Sequence, residues 1–156
     1  MINIFNFTNA ELLSEVKGKV QGERSLTAEI LHLLREVERR RLHLEKGFES
    51  LFEFCTQELL YSEAAASRRI SAMRLLTQLP EIEEKVHSGS LSLSNAAQAQ
   101  RFFINAAKTG HGQKTLKYTR EEKLEIVLSL QEKSTREAEK ELLKINPRAL
   151  PKEKTR

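Results

Sequence analysis

The stretch SLFEFCTQELLYSEAAASRRISAMRLLTQ, residues 50–78, decides how the chain is read. Ser50 and Glu53 form a Ser-x-x-Glu capping box, in which the hydroxyl accepts from the third helical N–H while the Glu reaches back. The spacing predicts a short helix over about Ser50 to Leu59, with Phe48, Leu51, Phe52, Cys55 and Leu59 facing one way. A break at Leu60-Tyr61-Ser62 follows. Ser62 is then the N-cap of a second helix, about Glu63 to Gln78, stopped before Pro80. Its stripe Ala66, Ile70, Met73 and Leu76/Thr77 is expected to face inward, with Ala64, Ser67, Arg68 and Ser71 on the opposite face. A helix of under three turns, a tight break and a longer Ser-capped helix have the form of a helix-turn-helix.

The flanks are helical too. Three more capping boxes occur: Thr8–Glu11, Thr119–Glu122 and Ser134–Glu137. Leu12, Leu13, Val16 and Val20, then Leu26, Ile30, Leu33, Leu34, Val37 and Arg41, keep helical spacing toward Leu44. This predicts one long helix, or two with a kink near Gly22, closed by Gly47 as C-cap. Beyond the central pair, a brief helix over Glu81 to His87 ends at Ser88-Gly89. Ser92 or Ser94 caps another, containing Ala96, Ala97, Ala99, Phe102, Phe103 and Ala106. Thr109 to Lys114 reads as a basic, glycine-containing linker. Helices over Arg120–Glu132 and Thr135–Ile145 follow, ended by Asn146-Pro147. No strand pattern competes. The expected architecture is an all-α bundle containing a helix-turn-helix and preceded by a long N-terminal helix. Its expected segments are 1–46, a module at 47–107, a linker at 108–117, a helical hairpin at 118–146 and a basic tail at 147–156.

Composition narrows the chemistry. All 22 acidic residues are Glu, so no Asp-based triad, aspartyl dyad, phospho-acceptor Asp or EF-hand loop can exist here. The single Cys55 excludes a disulfide scaffold and a zinc site built on several thiolates, and it fits a reducing compartment. No apolar run approaches the ~18 residues needed to span a bilayer. The start MINIFNFTNAELL lacks the basic region of a secretory signal. A soluble cytoplasmic protein without membrane contact is expected. The net charge of +4 is unevenly spread. Residues 62–79 carry Arg68, Arg69 and Arg74 against Glu63; residues 99–120 carry Arg101, Lys108, Lys114, Lys117 and Arg120 with no acid. A polyanion could sense such concentrations, although an ordinary solvated surface would also carry them.

If the central pair is a helix-turn-helix, its second helix lies in the major groove, and its outward face needs small polar and basic residues. Ser62, Ser67, Arg68 and Ser71 can reach phosphates or base edges there, while Arg74, Lys108, Lys114 and Lys117 would anchor phosphates. The 108–120 stretch fits an adaptable phosphate-binding loop and a flexible linker equally well. One rival constellation exists. Glu29-Ile-Leu-His32 and Glu84-Lys-Val-His87 have the Glu-x-x-His spacing of di-iron bundles, but the helix around His87 is too short for that frame. Arg39-Arg40-Arg41 stands among Glu36, Glu38 and Glu45, as expected of pairing along a solvated helix. Cys55 reads as a small buried hydrophobe.

Residues 26–103, LTAEILHLLREVERRRLHLEKGFESLFEFCTQELLYSEAAASRRISAMRLLTQLPEIEEKVHSGSLSLSNAAQAQRFF, resemble the N-terminal region of a bacterial family of HNH endonucleases. Within them, LPEIEEKVHSGSLSLSNAAQ (79–98) is similar to the helices that follow the helix-turn-helix of ParB-type partition proteins, and KSTREAEKELL (133–143) also fits the HNH group. The resemblance implies a DNA-recognition region. The group's nuclease module needs metal-binding and general-base His residues, with Asn, on a ββα hairpin. Here His32, His43 and His87 fall on expected helices and His111 in a linker, so the recognition half is expected without the cutting half. The expectation is therefore a DNA-binding protein, or the recognition portion of an HNH-type endonuclease, with no catalytic constellation and no cofactor. Double-stranded DNA is the expected partner. Dimeric helix-turn-helix proteins offer an analogy for a homodimer through the N-terminal helix. The alternative is a helical protein–protein interaction module.

Overall fold

The computed structural model describes residues 3–108 and 117–149. After a single 3₁₀ turn at Ile4–Asn6, helix α1 (Asn9–Arg40) opens on the Thr8 capping box. Thr8 Oγ1 accepts from the Glu11 N–H at 3.2 Å, and the Glu11 carboxylate accepts from the Thr8 N–H at 2.9 Å. The helix passes Gly18 and Gly22 unbroken, so of the two expected forms the single helix stands. Its end differs from expectation. Arg41, at a left-handed φ of 55°, stops α1 six residues before Gly47. A one-turn helix α2 (Leu42–Glu45) follows and is closed by Gly47 at φ 89°. There the Phe48 N–H donates to the His43 carbonyl at 2.9 Å and the Gly47 N–H to Leu44 at 3.0 Å, a Schellman closure.

The second difference lies in the central pair. Helix α3 (Leu51–Glu53) runs directly into a π turn, Phe54–Glu58, where a straight α-helix was expected. The wider turn changes the angular step per residue. Leu51 and Cys55 remain buried, but Phe52 and Leu59 are 39% and 42% exposed, off the expected inward stripe. Phe54 is half-buried instead, its ring edge-on to Phe48 at 5.7 Å. Leu60 then turns the chain at φ 61°, and the Tyr61 N–H donates back to the Cys55 carbonyl at 3.0 Å. A left-handed leucine costs roughly 1–2 kcal/mol, and the Leu60 side chain is exposed. Leu60→Gly should therefore stabilise the protein by up to about 1 kcal/mol, after the added flexibility of the unfolded chain is subtracted. Urea denaturation checks this; a less stable variant would mean that the Leu60 side chain contributes packing.

Helix α4 (Glu63–Gln78) is capped by Ser62, whose Oγ accepts from the Ala65 N–H at 3.2 Å. After a 3₁₀ turn at Pro80–Ile82 come α5 (Glu83–Ser88), α6 (Leu93–Lys108), α7 (Arg120–Leu128) and α8 (Thr135–Ile145). Helix α4 is central, packed along α6 and against α1, while α1 also meets α5, and α7 and α8 rest on α6. Because α4 has neighbours on two sides, its buried surface is wider than the expected stripe. Ala72 and Leu75 join Ala66, Ile70, Met73 and Leu76, whereas Thr77 is exposed. One buried cluster extends from Leu31 to Ala149, with Phe102 fully enclosed and stacked on Tyr118 at 5.7 Å.

Helix α1 outruns this core. Its 32 residues span about 48 Å, twice the ~24 Å of the sixteen-residue α4 and α6. Only Ala28, Leu31 and Leu34 are buried; Leu12, Leu13 and Val16 are 41%, 64% and 53% exposed. Among the described residues there is no strand, and no helix is long and apolar enough to cross a membrane. The fold is all-α.

Candidate nucleic-acid interface

Ser67, Ser71 and Arg74 stand at i, i+4 and i+7 of α4, and so share one face. That face points away from the buried Ala72 and Leu76, borders Ile70 and lies along the edge of α6. Ser67 and Ser71 are half-buried, Arg74 is exposed, and Ser62, Glu63 and Ala64 are exposed at the helix start. Arg101 of α6 reaches across, its Nη2 donating to Ser67 Oγ at 3.1 Å. Arg74 Nη2 donates to Glu38 of α1 at 3.0 Å, so one cation of the face is already paired.

Arg68 departs from expectation. It is half-buried and lines a cleft of about 360 Å³ against α1, together with Arg24 and Arg69. One residue is about 100° of helix. With α1 lying along that side of α4, the step from Ser67 to Arg68 moves the side chain off the outer face.

Lys108 at the end of α6 and Lys117 before α7 are exposed, whereas Lys114 lies outside the described residues, as does most of the expected linker. Arg120 is held by the Glu81 carboxylate, which lies below its ordinary pKa because of that hydrogen bond. Arg39 and Arg40 both grip Glu36, at 2.6 and 2.7 Å, and hold its carboxyl down to about 2, the Arg39 bond contributing most. Those cations are spoken for locally. Across α4 and α6 the balance is Arg68, Arg69, Arg74, Arg101 and Lys108 against Glu63 alone.

Arg101 entered the sequence reading only as one charge among several. A signal for it exists. Ala96, Ala97, Ala99 and Ala106 give α6 a buried face of small side chains, which lets a neighbouring helix approach closely. A long cation at the border of such a face can reach that neighbour.

The Glu-x-x-His pairs are not brought together. His32 Nε2 meets Glu83 Oε1 at 2.5 Å across α1 and α5, while Glu29, Glu84 and His87 are exposed. Among the described residues no group of three or more His, Cys or Glu side chains could hold a metal ion. Cys55 is fully buried, and burial pushes its thiol above the usual range despite the opposing Arg69 charge. No protein-family model matches the chain, and neither a curated protein nor a solved structure matches it.

Proposed function

We propose that this chain binds duplex DNA through the outer face of α4, either on its own or as the recognition portion of an HNH-type endonuclease. It contributes no cutting step itself, and a cytoplasmic location fits the role. One observation carries the proposal. Small hydroxyl side chains on α4, Ser67 and Ser71, lie beside Arg101 and the Glu38-paired Arg74. Short polar side chains permit close approach to base edges, and guanidinium groups meet phosphates or guanine. Ser62, at the exposed start of α4, would meet the backbone first, with Lys108 and Lys117 as outlying phosphate contacts.

Anisotropy with a labelled random duplex tests this. If Arg101, Lys108 and Lys117 each neutralise one phosphate, and Arg74 a fourth by leaving Glu38, log K should fall with log salt at a slope of about −3.6, and affinity should drop about a hundredfold between 50 and 200 mM salt. Arg101→Ala, exposed and outside the core, should reduce the slope by about one while leaving the melting curve intact. Absence of binding at low salt, or binding indifferent to salt, would refute the proposal.

A second reading is favoured by a different observation. The exposed Leu12, Leu13 and Val16 of α1, and an apolar groove formed by Ile30, Leu33, Val37, Phe54 and Leu59, suit a helical protein partner or a homodimer through α1. Sedimentation of the parent against Leu13→Lys/Val16→Lys separates these: a concentration-dependent dimer lost in the variant supports self-association.

A further inference from the structure

We propose that the cleft between α1, α4 and the start of α6 binds a phosphate group. Three arginines line it, Arg24 from α1 and Arg68 and Arg69 from α4, with Glu23 as the accompanying carboxylate. Among the described residues no carboxylate lies within ion-pair distance of Arg24, Arg68 or Arg69, whereas Arg39, Arg40, Arg74 and Arg120 are all paired. Three cations around one concave space that holds a single, unpaired carboxylate leave a net positive charge, which attracts an anion, more strongly where water is partly excluded.

A second observation points the same way. Arg69 has two contacts, its Nη1 donating to the Ala65 carbonyl at 3.2 Å and its guanidinium carbon 4.4 Å from the centre of the Tyr61 ring. Its Nε is buried and has no acceptor. A buried N–H without a partner is costly, so Arg69 keeps hydrogen-bonding capacity for an oxyanion that reaches it. The residue before α6 and the helix's first turn add Ser92 and Ser94. Ser92 Oγ accepts from the Asn95 N–H at 3.1 Å, so this is the positive end of a sixteen-residue helix.

Gly89 completes the enclosure. It sits at φ 85°, and a Cβ there would come within 2.5 Å of Arg24 Nε, so the position of Arg24 depends on the missing side chain. A volume of about 360 Å³ exceeds a bare phosphate and leaves room for the group that it esterifies. Two sources share this chemistry: a phosphorylated small molecule, and a backbone phosphate of nucleic acid. The cleft is separate from the outer face of α4, so it can hold or fail independently of the duplex proposal.

The experiment uses calorimetric titration with inorganic phosphate and pyrophosphate, and anisotropy with a labelled duplex. The proteins are the parent, Arg24→Gln, Gly89→Ala, and Arg101→Ala as the outer-face control. Arg24 is exposed, so Arg24→Gln should keep the parental helical spectrum. The parent should bind one phosphate-class anion saturably. Arg24→Gln should weaken it about tenfold or more, the effect expected for a lost hydrogen bond between charged groups. Gly89→Ala should weaken it too, by displacing Arg24, and Arg101→Ala should not. If the anion affinity falls and duplex affinity is unchanged, the natural source is a small molecule. If both fall together and pyrophosphate competes with the duplex, the source is a nucleic-acid backbone. Phosphate and duplex affinities that both stay at parental values in Arg24→Gln and Gly89→Ala would overturn the proposal. So would a parent that binds neither anion nor duplex. Loss of duplex binding in Arg101→Ala with anion binding retained bears on the duplex reading alone.

Discussion

Ile70→Asp should unfold the protein, while Ser71→Asp should leave it folded and cut duplex affinity about tenfold or more. The two positions are neighbours in sequence but about 100° apart around α4. Ile70 is 6% exposed and belongs to the cluster that α4 shares with α1 and α6. A carboxylate there has no cation within the cluster, and its desolvation costs several kcal/mol, a large part of the roughly 5–15 kcal/mol that holds a typical domain folded. Ser71 is half-buried on the outer face, so the same carboxylate keeps water. On that face it would stand beside Arg74 and near the Arg101–Ser67 bond, cancelling positive charge and repelling phosphate. Helical spectra, thermal melts and anisotropy on the two variants check both halves. If Ser71→Asp unfolds the chain, or binds duplex as the parent does, the outer face of α4 is not the contact surface.

Asn95→Asp should lose about 3–5 kcal/mol of stability at neutral pH, with the loss shrinking as the solution is acidified. Asn95 is fully buried at the start of α6, and its Nδ2 donates to the Lys133 carbonyl at 2.7 Å, tying α6 to the loop before α8. An ionised carboxyl group in place of the amide would set an oxygen against that carbonyl, with no donor between them. The folded state would hold the group protonated, raising its pKa above the unfolded value of about 3.9. The folded form then binds more protons than the unfolded form, so stability falls as pH rises from that value. Below it, the neutral acid can donate to the Lys133 carbonyl as the amide does. Urea titrations of parent and variant at pH 4 and pH 7 measure this directly. A penalty equal at both pH values would mean that the carboxylate reaches water, and Asn95→Ala, losing about 1–3 kcal/mol at either pH, separates the missing bond from the added charge.

These expectations rest on features of two kinds. Helix starts and apolar periodicity are written locally. Thr8, Ser50, Ser62, Thr119 and Ser134 each accept from the third helical N–H, as their spacing to Glu11, Glu53, Ala65, Glu122 and Glu137 implies. Pro80 ends α4, and Ala66, Ile70 and Met73 are buried together. A cap needs only residues within one turn, and a buried stripe needs only the helical repeat. The all-α class, the long first helix and the short-helix, break, long-helix order of residues 51–78 were therefore readable without coordinates.

What depended on partners distant in sequence was not readable. Arg41 is an ordinary helix former, and nothing beside it marks a left-handed stop; the chain must turn there to bring α3 under α4. Phe52 and Phe54 are equally apolar, and only the π turn decides which of them is half-buried. Periodicity gives one inward face for α4, but α1 and α6 cover two sides of it, and so Arg68 enters the cleft while Ser67 takes a hydrogen bond from Arg101, 34 positions away. The residues of the candidate surface were legible as types, because hydroxyl and guanidinium groups announce themselves. Their grouping came from helix packing, which sets which helix lies along which side and has no signature in local spacing.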